Sequence, residues 1–213
     1  MLDLTPLLGP SDRSLSTRDV DGSPAKVLRA SRTYDTSVED LWDCLTNPDR
    51  LPRWFMPISG ELRPGGRYQL EGNAGGEIRT CDAPRHLAVT WEIGGVPSWV
   101  DVRLSPDGDG ARLDLEHVAH VPEDMWAEYG PGATGIGWDL AFMGLANHVT
   151  TGEAIDPDVI ETWHTTEEGR GTIAAFADAW RDAAIDDGED PAEAARSAAN
   201  CQAFYTGQPA VDG

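Results

Sequence analysis

Two histidines, His117 and His120, close an alternating stretch that reads Leu113-Asp114-Leu115-Glu116-His117. Paired imidazoles are a common start of a metal site or a proton relay. On a strand, however, residues three positions apart point to opposite faces, so this pair does not grip one metal. His117 shares parity with Leu113 and Leu115 and is expected to face an apolar interior. A polar ring there must find a partner, whether a ligand, a neighbouring side chain or water. Gly130-Pro131-Gly132-Ala133-Thr134-Gly135 matches G-x-G-x-x-G, but the preceding Pro122–Tyr129 segment reads as a short helix or loop. Phosphate binding needs a strand there, so the glycines are expected to form a hinge before a helix. Asp107-Gly108-Asp109-Gly110 lacks an oxygen ligand at the fifth loop position, which is Ala111, and reads as a hairpin turn. Cys44, Cys81 and Cys201 show neither metal-ligand spacing nor a readable His partner, and no G-x-S-x-G elbow is present. The residues therefore point to no metal, no cofactor and no nucleophilic machinery. Acid–base chemistry stays open, because a sequence does not reveal how carboxylates and imidazoles pair.

Aromatic and sulfur-bearing side chains are the stronger signal. Trp54, Phe55 and Met56 are contiguous, and Tyr68, Trp91, Trp138, Phe142 and Met143 follow on segments with apolar faces. Each alone is ordinary core material. Together with His117 they are the expected lining of a concavity suited to an apolar or aromatic small molecule, with the imidazole fixing orientation.

The elements that must position them follow from periodicity. A strand is expected over Lys26–Tyr34. A helix should start at Thr36, with Glu39 three residues on as a capping box and Val38, Leu41, Trp42 and Leu45 on one face. From Ile58 to His120 the period becomes two, with turn signals at Pro64-Gly65-Gly66, Gly94-Gly95 and Asp107–Gly110. Such runs make an antiparallel sheet of six or seven strands with one dry face. Its cover is expected at Thr134–Thr150, where Ile136, Leu140, Met143, Ala146 and Val149 recur at helical spacing. Beyond Gly152, residues 150–213 carry fourteen acidic and three basic residues, yet Ile173, Phe176, Ala177, Trp180 and Ala184 form an apolar stripe. Docked helices explain that pattern better than a disordered tail. Three parts are thus expected: a flexible segment over 1–24, a domain over 25–151, and an acidic helical extension over 152–213 packed on it.

Five segments, Trp54-Phe55-Met56-Pro57, Gly65-Gly66-Arg67-Tyr68, Gly76-Glu77-Ile78, Leu87–Glu92 and Leu113–His117, resemble in order and spacing the activator of heat shock protein 90 ATPase homologue family. That family belongs to the START-like, or SRPBCC, superfamily, and the resemblance covers roughly residues 25–150. It implies an α+β helix-grip fold, a curved antiparallel sheet around one long helix, with a ligand cavity between them. It also implies alternatives to binding: a cyclase-, lyase- or hydrolase-type enzyme, or a chaperone-associated module. The chaperone role is disfavoured here, since no second chaperone-binding domain or basic patch is recognisable. A homodimer or larger homo-oligomer with a filled, vestigial cavity is a further alternative.

Composition narrows the partners. The 213 residues carry a net charge of −21, with fifteen Arg and Lys26 as the single Lys. That field repels nucleic acid and anionic membrane surfaces. No apolar run approaches the ~20 residues that span a bilayer, and the N-terminal stretch does not read as a signal peptide. A cytoplasmic, reduced protein is the expectation.

Overall fold

A computed structural model describes residues 11–154 and 162–208 of the chain. The alternating stretches form strands β1 (Asp12–Val20), β2 (Ser23–Tyr34), β3 (Ile58–Gly60), β4 (Arg67–Leu70), β5 (Gly75–Asp82), β6 (His86–Ile93), β7 (Val96–Asp107) and β8 (Gly110–Ala119). They make one antiparallel sheet in the order β1-β2-β8-β7-β6-β5-β4-β3. Helices α1 (Val38–Thr46), α2 (Glu123–Tyr129), α3 (Gly132–Thr151), α4 (Glu167–Asp186) and α5 (Pro191–Tyr205) accompany it. The fold is the expected α+β helix grip, with α3 as the gripped helix. None of the described helices is long and apolar enough to cross a membrane.

Two expectations need correction. The flexible lead-in does not extend to Pro24, because Asp12–Val20 pairs along its whole length with β2, from Asp12↔Ser31 to Val20↔Ser23. Only Leu15 of this strand is buried, so no apolar alternation announced it. Backbone pairing and the half-buried Arg13 hold it instead. The leucines of residues 1–10 lie outside the described residues. The cap of α1 is Ser37 and not Thr36. The Ser37 hydroxyl accepts the Asp40 N–H at 3.1 Å, while Thr36 donates its own hydroxyl to the Asp40 carboxylate at 2.7 Å. The glycine hinge stands as expected: Gly130, at φ +53°, ends α2, and α3 starts two residues later.

Helix α3 is buried on both sides, which explains why its apolar residues run round the cylinder. Ile136 and Leu145, nine residues apart and so on opposite sides of the helix, are both fully buried, and one side meets the sheet at β2. The other is covered by α4, which also packs on β1 and α5. Gly135 lets that contact close, since a Cβ there would stand 2.3 Å from Cε2 of Trp180. A polar tie crosses the same interface. Arg13 of β1 pairs with Asp139 of α3 at 2.8 Å, and the Trp180 indole donates to the same carboxylate at 2.8 Å. Burial pushes the Asp139 carboxyl above its ordinary value, against the opposing pull of Arg13.

Candidate functional site

The short 3-10 turn at Leu51–Arg53 ends in Trp54, whose indole donates to the Cys44 carbonyl at 2.9 Å. That bond fixes the ring, which stacks on Phe55 with centroids 5.4 Å apart. Phe55 in turn faces Trp91 of β6 at 6.5 Å, and Trp91 meets Trp138 of α3 at 5.2 Å. A continuous run of rings thus bridges the segment after α1, the sheet and the long helix. Tyr68 of β4 completes the inner wall, with its hydroxyl donating to the Thr90 carbonyl at 2.8 Å. Burial raises that phenol well above its ordinary value, so it stays protonated.

Behind these rings lies a chamber of about 150 Å³. Trp54, Phe55, Tyr68, Trp91 and Trp138 line it, with Val89, Val100 and Val102 as its sheet floor. Cys81 also reaches it, and burial raises its thiol above the ordinary value, so it is not a primed nucleophile. In front of the rings runs an open groove of about 520 Å³, from the β6–β7 hairpin past α2 to the first turns of α3 and the end of α5. Phe55, Trp91 and Trp138 line both compartments, while Met56 and His117 line only the groove.

His117 therefore sits beside the chamber, not in it, and both its ring nitrogens are occupied. The indole N–H of Trp138 donates to Nδ1 at 3.1 Å, and Nε2 lies 2.8 Å from the Ser98 hydroxyl. An indole only donates, so Nδ1 must be the unprotonated nitrogen, and Nε2 donates to Ser98. The Ser98 hydroxyl passes its own proton to the Trp91 carbonyl at 2.8 Å. Burial lowers the imidazole to about 4, leaving it neutral at pH 7. The ring expected to orient a ligand lines the groove, with its two nitrogens bonded to Trp138 and Ser98.

Phe142 and Met143 also depart from expectation, since neither lines the chamber or the groove. Phe142 is core, and its carbonyl accepts the Tyr34 hydroxyl at 3.4 Å. Met143 packs against Trp163 and Leu140. A helix apolar all round gives no sequence signal for which side meets a cavity. The valines of the floor were missed as site residues although their parity was readable, because an inward valine is the same symbol in a packed core and in a cavity wall. Among the described residues no group of three or more His, Cys, Asp or Glu is placed to hold a metal ion.

A curved sheet gripping a long helix, with an apolar chamber between them, defines a START-like, helix-grip protein. The chain belongs to the family described as Activator of Hsp90 ATPase homolog 1-like protein, whose sequence profile matches residues 35–150. It is similar to CalU16 from Micromonospora echinospora. The crystal structure of that protein is 31% identical with a TM-score of 0.62, over 83% of this chain and 99% of that one. Its solution structure gives 32% identity and a TM-score of 0.66, over 84% and 97%. This likeness spans more of the chain than the family match. DynU16, described as a protein of the dynemicin biosynthetic locus, shares the fold at 19% identity and a TM-score of 0.52, over 60% of this chain and 48% of that one. No curated protein sequence matches the chain.

Proposed function

We propose that the protein binds an apolar or amphipathic small molecule, held between sheet and long helix without being chemically changed. The observation that carries this reading is the chamber of about 150 Å³ walled by aromatic and aliphatic side chains, which shares Phe55, Trp91 and Trp138 with the groove. Desolvation of apolar surface supplies the affinity, at about 25 cal/mol per Å² buried before the costs of association. Cyclase-, lyase- or hydrolase-type chemistry would call for an acid–base pair inside the cavity. The chamber wall has no Asp, Glu or His among the described residues, and its Tyr68 and Cys81 are both held protonated. The family description names an Hsp90 ATPase activator; an apolar chamber of about 150 Å³ favours a small ligand over that partner.

Indole N–H signals in a nitrogen–proton correlation spectrum test the proposal, because the eight tryptophans divide by place. Titration with a neutral naphthalene derivative is expected to move the signals of Trp54, Trp91 and Trp138 and leave those of Trp99 and Trp180 in place. Shifts confined to other indoles, or none at saturating ligand, overturn the reading.

A further inference from the structure

Charge is distributed unevenly among the hollows of this molecule. A dip of about 680 Å³ on the outer sheet face carries Arg18, Arg29 and Arg112 with Asp12, Asp114 and Glu116, mostly in ion pairs. A hollow of about 360 Å³ beneath the C-terminal helices holds Lys26, which pairs with Glu189 and lies 4.1 Å over the Trp126 ring. The chamber and the groove differ from both: no Asp, Glu, Lys or Arg lines either one among the described residues. With a quarter of the chain charged, walls of this extent would carry several such residues by composition alone.

The groove is nonetheless not purely apolar. The side-chain carbonyl oxygen of Asn73 accepts the Ala74 N–H at 2.7 Å, which leaves its amide hydrogens free to donate. The exposed Thr134 hydroxyl makes no hydrogen bond among the described residues. His120 donates from Nδ1 to the Pro24 carbonyl at 3.1 Å, and the tautomer that carries its proton there has Nε2 as an acceptor. These are partners for hydroxyl, carbonyl or ether groups, not for an ion.

Size gives a second constraint. A dry cavity of about 150 Å³ holds a molecule the size of benzene, whereas sites for whole ligands run from about 300 to 1,000 Å³. The chamber alone is too small, and the groove alone leaves the chamber empty.

We propose that the site takes an electrically neutral, two-part ligand: one ring-sized apolar end seated in the chamber, and a larger uncharged body bearing hydroxyl or carbonyl groups along the groove. Fatty acids, acyl phosphates and amines are excluded from this class. An ionised group lying in the groove would be desolvated against walls that offer it no counter-charge. This inference rests on the binding reading above and adds the charge and shape of what is bound.

The test uses two dyes with one skeleton, N-phenyl-α-naphthylamine and its peri-sulfonate, anilinonaphthalene sulfonate. Both brighten on leaving water. Titrations run at about pH 8, where an ordinary imidazole is neutral, and in about 0.5 M NaCl, which shortens the reach of the protein's net charge to a few Å. The neutral dye is expected to bind at least about tenfold more tightly than the sulfonate, reflecting the cost of an unpaired buried charge. Thr134→Lys, at an exposed groove position, is expected to tighten the sulfonate about fivefold relative to the neutral dye. Equal or tighter binding of the sulfonate to the wild-type protein overturns the neutral-ligand inference and leaves the binding reading intact. A sulfonate-to-neutral ratio unmoved by Thr134→Lys overturns it too, because the dyes then sit elsewhere. Failure of both dyes to bind overturns the binding reading itself.

Discussion

The indole N–H of Trp138 donates to Nδ1 of His117 across 3.1 Å, joining the long helix to β8. Because the indole has no lone pair to offer, this one contact sets the imidazole tautomer and, through Ser98, reaches the carbonyl of Trp91. The Trp138 ring and the Trp91 backbone, whose residues line both chamber and groove, are therefore joined by one three-bond relay. That relay works only with a neutral imidazole, since a protonated Nδ1 has no acceptor to present.

A pH dependence follows. Unfolded, an imidazole titrates near 6.5; folded, His117 titrates at about 4 because burial disfavours its charged form. Below 6.5 the unfolded chain takes up a proton that the folded chain refuses, so the contribution present above that pH is lost as pH falls towards 4, and levels off below. Its size is on the order of 3 kcal/mol. Acid also relieves the repulsion of a chain at −21, so the measurement must be differential. Urea unfolding of wild type and His117→Gln from about pH 7.5 to about 4 is expected to show wild type losing stability relative to the variant. Parallel curves would remove His117 as the source.

Trp138→Phe keeps a ring over Trp91 but deletes the donor. It leaves the buried Nδ1 of His117 without a partner, at a cost of about 1–3 kcal/mol. Adding His117→Phe to that variant removes the stranded acceptor as well, so the double substitution is expected to lose less than the sum of the two single ones. A double-mutant cycle measured by denaturation decides it; strict additivity would mean that the two rings do not communicate.

How far these relationships were legible in the sequence varies by element. Strands β4, β7 and β8 were readable because each buries one regular face, and the long helix because its large apolar residues recur at helical spacing. Strand parity placed His117 inward, yet Ser98 and Trp138, its two partners, lie on β7 and α3 and come together only through the sheet register and the helix crossing. Edge strand β1 was hidden because Leu15 is its only buried residue. The role of Arg13 was hidden for the same reason: a charged residue in an acidic, serine-rich stretch reads as solvated until α4 is seen to cover it.

Arg13 yields its own prediction. Its guanidinium is mostly buried, over the rings of Phe176 and Trp180 at 5.8 Å each, with Asp139 as its counter-charge. Asp139→Asn leaves that cation unpaired and is expected to cost about 3 kcal/mol, with hydrogen exchange accelerating first along β1. The double change Arg13→Met with Asp139→Leu removes both charges and is expected to recover most of the loss. If the double variant were less stable than Asp139→Asn, the pair would be contributing net attraction beyond its desolvation cost.

Two glycines in helices offer a matched pair with opposite signs. In a helix interior Ala is preferred to Gly by about 1 kcal/mol, so propensity alone favours Gly135→Ala and Gly171→Ala alike. Space separates them. A Cβ added at Gly135 would stand 2.3 Å from Trp180, whose side chain is fully buried and held by Asp139, whereas nothing lies within 4 Å of a Cβ at Gly171. Trp180 cannot swing aside without giving up its bond to Asp139 and opening the α3–α4 contact. Gly135→Ala is therefore expected to destabilise by about 3 kcal/mol, at the upper end of overpacking costs, and Gly171→Ala to stabilise by about 0.5–1 kcal/mol. Thermal unfolding of the two variants beside wild type reads both signs at once. A Gly135→Ala protein as stable as wild type would mean that α4 is not seated on α3 through Trp180.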